Sequence, residues 1–412
     1  MLIGVEIPYN QTHSTPETIE ELSFLVISAG GEVVDKIVQR RKKIDPAYFI
    51  GKGKTHQIKD LIAVLDIDTV VFDDELTPAQ KRNLEKVFNI KVIDRTRLIL
   101  DIFARRAHTQ EGKLQVELAQ LTYLLPRLSG LGTYLDQQVG GIGVRGPGEK
   151  KLEYDRRRIT DRIAKLKEDI DKILIHRNQQ RQRRKDVFLP LVAIVGYTNA
   201  GKSTLFNKIT SSSVFVEDKL FATLDPTIRK VTLPNNQDIL AVDIVGFIRK
   251  LPQQLIAAFR ATLEETINAD LLIHIVDISH PLWKKQMETV KEIFNELGIL
   301  DKPVITVFNK IDLINDASRL NSLSKKFEES LNISAKYGTG IDLLLKRLSQ
   351  HFQRFRSLVS FSFPLERQDL INFIYEKGEV VERKFDKDRV FIQAYVDLYT
   401  KEKLKKYDIN LC

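Results

Sequence analysis

The chain has 412 residues, more than one ordinary domain holds and enough for two or three. Hydrophobic residues make up 43% and charged residues 29%, which excludes a disordered chain. Lys and Arg number 64 against 55 Asp and Glu, and the net +9 favours anionic partners (nucleotides, nucleic acid or acidic lipid) without choosing among them. The one cysteine, Cys412, is the last residue. No intramolecular disulfide can form, so a reducing, cytoplasmic setting is expected. A prenylation box needs its cysteine fourth from the end and is not expected here. Residues 1–15 lack the basic and apolar regions of a secretory signal. The longest apolar runs, such as LLIHIV at 271–276, are strand-sized and far short of the ~20 residues of a membrane span. Peripheral association with a membrane surface stays open.

Residues 1–110 alternate between strand and helix patterns. The runs LSFLVI (22–27), TVVF (69–72) and IKVI (90–93) predict buried strands, and 55–65 and 78–88 carry helix-spaced apolar positions between them. That alternation predicts a small parallel α/β domain. Within it, Gly51-Lys52-Gly53-Lys54 precedes a helix and could offer amides to an anion, although such a stretch is more often a surface turn. Residues 111–187 predict a helical hairpin. Leu114, Leu118, Leu121, Leu125 and Leu128 recur at steps of three and four, and a glycine-rich loop at 130–148 holds seven of the chain's 20 glycines. A long helix over 149–185 then carries Leu152, Ile159, Ile163, Leu166, Ile170 and Ile173 in a heptad seam. In those 37 residues fourteen bases stand against seven acids. A solvated coiled-coil face would explain such a run. The neighbouring loop, with Arg145 and the flanking Lys150, Arg156, Arg157 and Arg158, makes contact with a nucleic-acid backbone the preferred reading. Strand and helix alternate again over 188–355, and a small α+β appendage of no readable chemistry occupies 356–412.

Three short motifs carry chemistry. A strand over 191–195 runs into Gly196, Tyr197, Thr198, Asn199, Ala200, Gly201, Lys202 and Ser203, followed by a helix. This is the G-x-x-x-x-G-K-S phosphate loop in its strand–loop–helix setting. Its amides surround phosphates, Lys202 supplies a point charge, and the Ser203 hydroxyl ligates Mg²⁺. The second motif, Asp243, Ile244, Val245 and Gly246, follows a strand 41 residues past Lys202. Its carboxylate suits Mg²⁺ through water, and the Gly246 amide suits sensing of a γ-phosphate. The third, Asn309, Lys310, Ile311 and Asp312, chooses the base. A carboxylate at Asp312 accepts from guanine N1–H and its 2-amino group, whereas adenine would leave it facing an acceptor. Asn309 is expected to tie the neighbouring loops to the base. Ser334, Ala335 and Lys336 match a closing loop whose Ala335 amide would meet guanine O6. Between the first two motifs, Thr223 and Thr227 are both placed to ligate Mg²⁺ when GTP is bound.

These motifs, with Phe221, Ala222, Thr223, Leu224 and Asp225, resemble the HflX GTPases of the Obg–HflX group. The resemblance continues upstream in YFIGKGK (48–54), VFDDELT (71–77), Asp94-Arg95-Thr96, LQVELAQ (114–120), GGIGVRGPGE (140–149) and DRRR (155–158), and covers roughly residues 20–345. It implies that Thr223 is the switch threonine and a second Mg²⁺ ligand, that 221–225 contacts nucleotide, and that Lys202, Thr223 and Gly246 serve catalysis. It implies binding to the large ribosomal subunit and its RNA, splitting of stalled ribosomes in the GTP form, and an amino-terminal domain and hairpin that approach ribosomal RNA. The sequence departs from the family at Ile244, where a threonine is usual, and at Lys150, Lys151 and Tyr154, which add charge and a ring.

The expected fold class is therefore α/β: a P-loop GTPase domain (188–355) preceded by a small parallel α/β domain (1–110) and a helical hairpin (111–187), and followed by a small α+β domain (356–412). A monomeric GTPase working on the ribosome is expected, with no DNA partner. Two other readings remain: a GTP switch with a protein partner, or ATP-driven RNA remodelling through a second nucleotide site in the amino-terminal domain. Small GTPases often place a glutamine just after D-x-x-G to orient water. Phe247 stands there, so slow intrinsic hydrolysis is expected. The ribosome, or a potassium ion held by Asn199, would supply the missing help; a plain turn-stabilising role for Asn199 is the competing reading.

Overall fold

The computed structural model describes the chain except residues 9–14, 129–146, 188, 211–219, 222–224, 251–259, 315, 317–319, 321–322, 324–326, 328–329, 387 and 406–412, and gives the backbone alone at 15, 147–152, 176–187 and 260–262. Arg145 with most of the glycine-rich loop, and Ala222, Thr223 and Leu224, lie outside the described residues. The chain divides into two compact units: Met1–Leu174 with Glu217–Asp225 and Ile248–Thr262, and Ile175–Val216 with Pro226–Phe247 and Leu263–Cys412.

The first unit is built on a parallel four-stranded sheet in the order β2-β1-β3-β4, formed by β1 (Leu2–Glu6), β2 (Lys36–Arg40), β3 (Thr69–Phe72) and β4 (Lys91–Asp94). Alternate residues Ile3 and Val5 of β1, Val70 and Phe72 of β3 and Val92 of β4 join one apolar core with Ile58 and Ile62 of α2 (Lys52–Val64) and Leu84 and Phe88 of α3 (Pro78–Phe88). Helix α3 starts as its sequence dictates, with a Thr77/Gln80 capping box and Pro78 in the first turn. The run at 22–27, expected as a strand, lies instead in α1 (Thr15–Ser28). Ile19, Leu22, Ser23 and Val26 are buried at steps of three and four, while Phe24 and Ile27 are half exposed. A six-residue apolar run has no periodicity that separates a buried strand from a buried helix.

The α/β part continues through α4 (Arg95–Arg106), which packs on α1 and on α5 (Gln110–Leu128). The side of α5 that is fully buried carries Gln115, Val116, Ala119 and Tyr123, not the leucine stripe, which is only half buried. The Tyr123 hydroxyl donates to the Asp94 carboxylate (2.8 and 2.9 Å), and Asp94 also caps α4 through the Arg97 amide. Helix α6 (Pro147–Val187) buries Leu166 and Ile170 of its heptad seam, and its Arg162 pairs with Glu117 of α5 at 2.7 Å.

The second unit contains a six-stranded sheet in the order β10-β9-β8-β5-β7-β6. Strands β5 (Leu191–Gly196), β7 (Asp238–Asp243), β8 (Leu271–Asp277), β9 (Val304–Asn309) and β10 (Leu331–Asn332) are parallel, and the edge strand β6 (Thr227–Thr232) is antiparallel to β7. β5 and β8 are apolar and buried along nearly their whole length, as strands covered on both faces must be. Helices α7 (Lys202–Thr210), α8 (Arg260–Asn268) and α9 (Trp283–Glu296) connect strands of this sheet, and α10 (Ile341–Gln353) follows β10. A separate three-stranded antiparallel sheet, β11 (Ser357–Pro364), β13 (Arg389–Val396) and β12 (Glu379–Asp386), carries α11 (Gln368–Lys377) and α12 (Leu398–Lys405) over its own apolar core. The fold is thus mixed α/β with a P-loop domain and an α+β appendage. Among the described residues no helix is long and apolar enough to cross a membrane.

Candidate nucleotide site

The phosphate loop lies where a parallel sheet puts it, between the carboxyl end of β5 and the first turn of α7. Two glycines there have no substitute. Gly196 (φ +153°) would drive a Cβ into the carbonyl of Ile275 on β8, and Gly201 (φ +97°) would drive one into the side chain of Asn309. Asn199, exposed, also takes a positive φ of 60°, a conformation asparagine tolerates. Tyr197 and Ala200 are buried. The Lys202 ammonium is buried and donates to the carbonyl of Tyr197 at 2.9 Å. Burial pushes its pKa down to about 8; the Asp243 carboxylate opposes that shift and the Lys310 charge adds to it.

Ser203 and Asp243 are 40 residues apart but meet, because β5 and β7 are parallel neighbours with Ile194 opposite Asp243. The Ser203 hydroxyl donates to the Asp243 carboxylate at 2.6 Å. A hydroxyl and a carboxylate side by side are hard oxygen donors that suit Mg²⁺. Ile244 and Val245 are buried in the core. Gly246 passes so close to the phosphate loop that a Cβ would lie 2.7 Å from Lys202 Nζ and 2.8 Å from Thr198 Cα. Phe247 zips to the same loop: the Thr198 amide donates to its carbonyl (2.8 Å) and its amide donates to the Gly196 carbonyl (3.1 Å). Its ring is buried edge-on against Phe294 of α9, at 6.2 Å between centroids. The sequence marks Phe247 as unable to orient water; its anchoring role is not legible there, because Phe294 lies 47 residues away.

At the end expected to read the base, buried Asn309 donates to the Ala200 carbonyl (2.8 Å) and accepts from the Ala335 amide (2.9 Å). It therefore joins the phosphate loop to the Ser334–Lys336 loop. The Ala335 amide, expected to face guanine O6, is given to Asn309. Lys310 adopts a left-handed backbone (φ 64°) and pairs with Asp277 at 2.7 Å. Ile311 is half buried. Asp312 is exposed, and its carboxylate accepts from the Ser334 hydroxyl. The Lys336 ammonium lies 5.2 Å from the centre of the Tyr337 ring.

The described residues of 221–225 have their partners in the first unit. The Phe221 ring is buried edge-on against Phe103 of α4, 4.6 Å between centroids. The Asp225 carboxylate accepts from the amides of His108 and Thr109 (2.9 Å each) and from the Thr109 hydroxyl, at the positive end of α5. Gly112, in the first turn of α5, is the residue that leaves room for it: a Cβ there would overlap the carboxylate. The residues just past Phe247 are held in the same unit. Lys250 pairs with Asp73 and Asp74, both at 2.6 Å, and Arg249 with Glu17 at 3.4 Å. Buried Arg95 joins Asp73 (2.8 Å) to Glu21. Burial would raise the Asp73 pKa, but the Arg95 and Lys250 charges outweigh it and hold the carboxyl below its usual range. Asp73, Asp74 and Arg95 stand inside the upstream runs VFDDELT and Asp94-Arg95-Thr96 that carry the family resemblance. Of the weak Gly51–Lys54 turn, the Gly51 amide is given to the Gln39 side chain at 2.9 Å.

Three family descriptions match successive parts of the chain: a GTP-binding GTPase N-terminal region over residues 16–104, a GTP-binding GTPase middle region over 106–184, and a 50S ribosome-binding GTPase over 191–310. A GTPase HflX of Caldanaerobacter subterraneus subsp. tengcongensis is 47% identical over 394 residues, 96% of this chain and 91% of that protein. The chain belongs to the HflX family of GTPases. The GTPase HflX of Lacrimispora saccharolytica is 49% identical over 96% of this chain and 93% of that protein, and that of Escherichia coli is 45% identical over 81% and 79%. Among solved structures, a GTP-binding protein from the archaeon Sulfolobus solfataricus in complex with GDP is 27% identical, covers 85% of this chain and 97% of that one, and has a TM-score of 0.45. As a member of that family, the protein is a GTP-binding GTP hydrolase.

Proposed function

We propose that the protein hydrolyses GTP on the large ribosomal subunit and, in its GTP form, splits or rescues stalled ribosomes in the cytoplasm. The observation that carries this reading is the basic turn of α6. Arg156, Arg157 and Arg158 are all exposed, and Arg158 stands over the ring of exposed Tyr154 at 5.7 Å. Three successive guanidinium groups fanned around one turn of a helix, one of them over an aromatic ring, suit a phosphate backbone and an unstacked base. The match to a 50S ribosome-binding GTPase over 191–310 supports the choice of partner.

At the nucleotide, Lys202 and the phosphate-loop amides other than that of Thr198 would hold the phosphates, and the Gly246 amide would read the terminal one. Asp312 would select guanine, with Asn309 fixing the loops around it. Thr223 would close on the bound triphosphate. Mg²⁺, held by Ser203 and Thr223 with Asp243 behind, would neutralise charge on the β- and γ-phosphates. The residue after Gly246 is apolar and buried, so the isolated protein should turn over slowly and the ribosome should activate it.

The test is co-sedimentation with purified large subunits in GDP and in a non-hydrolysable GTP analogue. Binding should prefer the analogue and fall steeply with salt as counterions are released. Replacing Arg156, Arg157 and Arg158 with Ala should weaken subunit binding and leave GDP affinity unchanged. Equal subunit affinity of the two proteins at moderate salt would remove the role of α6.

A further inference from the structure

Thr198 is the third residue of the phosphate loop. It is 6% exposed, and its hydroxyl has no hydrogen-bond partner among the described residues. Leaving a hydroxyl enclosed and unpaired is unfavourable, and such a group calls for a partner that the fold itself does not supply. Its place is specific. The Thr198 amide is fixed to the carbonyl of Phe247, and its Cγ2 methyl lies 2.9 Å from where a Cβ on Gly246 would stand. Lys202 Nζ lies 2.7 Å from that same point. Thr198, Lys202 and Gly246 thus converge on one spot, where, on the function proposed above, the terminal phosphate would be read, and the position after Gly246 offers only the buried ring of Phe247.

We infer that the Thr198 hydroxyl donates a hydrogen bond to the γ-phosphoryl group during GTP hydrolysis, beside the Gly246 amide. This rests on the GTP-hydrolase reading of the same loop. Methyl and hydroxyl share one Cβ, so rotation about χ1 between staggered wells brings the hydroxyl to the Gly246 side. In the reaction, a water oxygen bonds to the γ-phosphorus and the bond from phosphorus to the β–γ bridging oxygen breaks. GDP leaves with that bond's electron pair, and the water's protons pass to the phosphate and to solvent. The threonine keeps its proton throughout. It supplies a fixed dipole where negative charge on the transferred group must be held, a need made sharper by the missing glutamine.

The experiment compares Thr198→Val, which keeps the shape and removes the hydroxyl, with Thr198→Ser, which keeps the hydroxyl. Single-turnover GTP hydrolysis by the Val variant should fall about 10-fold to 100-fold, the effect expected for one lost donor to a charged group. Its affinity for GDP and for a non-hydrolysable GTP analogue should stay within about twofold of wild type, well under one such donor. Binding of GDP with aluminium fluoride, which mimics the transferred group, should weaken in parallel with the rate. The Ser variant should recover both. Because the Val variant loses an unpaired hydroxyl, its melting temperature should equal or exceed the wild-type value, a readout in which a merely structural hydroxyl would move the other way. A Val variant with wild-type turnover and aluminium fluoride binding would overturn the inference, as would Ser and Val variants that are equally slow. Loss of GDP binding by wild-type protein would instead count against the nucleotide site itself.

Discussion

Replacing Gly112 with Ala sets two effects against each other. Glycine inside a helix is ~1 kcal/mol less favourable than alanine, so propensity alone makes Gly112→Ala stabilising. The structure reverses the sign. A Cβ at 112 overlaps the Asp225 carboxylate, which accepts two amides and a hydroxyl at the start of α5. Displacing the carboxylate forfeits those three hydrogen bonds. Each is worth ~1 kcal/mol after allowance for solvent at this exposed end, so the loss is ~2–3 kcal/mol against a gain of ~1. The net cost, ~1–2 kcal/mol, should appear locally, as amide hydrogen exchange at His108 and Thr109 faster by roughly 5-fold to 30-fold. Asp225→Ala should accelerate the same amides. The Gly112→Ala/Asp225→Ala double variant should exchange no faster than Asp225→Ala alone, since the two changes break one interaction. Slower exchange in Gly112→Ala, or fully additive effects in the double variant, would refute the reasoning and leave helix propensity in charge.

Asp312→Asn should lose GTP affinity and gain affinity for xanthosine triphosphate, whose 2-oxo group accepts from the new amide; competition binding with both nucleotides decides it. If the Asn199 side chain holds a potassium ion beside the phosphates, turnover at equal ionic strength should be faster in potassium than in sodium, and Asn199→Ala should abolish the difference; rapid turnover of the isolated wild-type protein in either salt would contradict the expectation drawn from Phe247. The Lys202 ammonium, at about 8 when folded and about 10.4 in an unfolded chain, gives a definite sign. Between those values the unfolded chain binds more protons, so folding stability without nucleotide should rise from about pH 8 to about pH 10.4, while GDP affinity, if the charged amine holds phosphate as proposed, should fall above about pH 8. Lys202→Met should flatten both profiles, as read by denaturant melts and nucleotide titration.

The phosphate loop, the D-x-x-G run and the N-K-x-D run are legible in the sequence because each is a contiguous stretch whose chemistry depends on local backbone. Glycines at 196 and 201 permit close approach wherever the loop is placed, and a strand before it and a helix after it suffice to position it. The strands at 69–72 and 191–195 are legible as short apolar runs set between turn and loop signals, and the helices α5 and α6 from a periodicity of three and four residues that spans several turns. The run at 22–27 is too short for that, and only its packing against β1 and α4 settles it as helix. The rest was decided by tertiary structure. Ser203 meets Asp243 through the register of β5 against β7; Asn309 bridges two loops that lie 109 and 26 residues from it; Asp225 finds the start of α5 across 116 residues. Such pairings are set by sheet order and by which buried charges must find partners, not by the spacing of nearby residues. The enclosed hydroxyl of Thr198 and the space kept by Gly112 are of the same kind, because a side chain's want of a partner, or of room, exists only once its surroundings have been assembled.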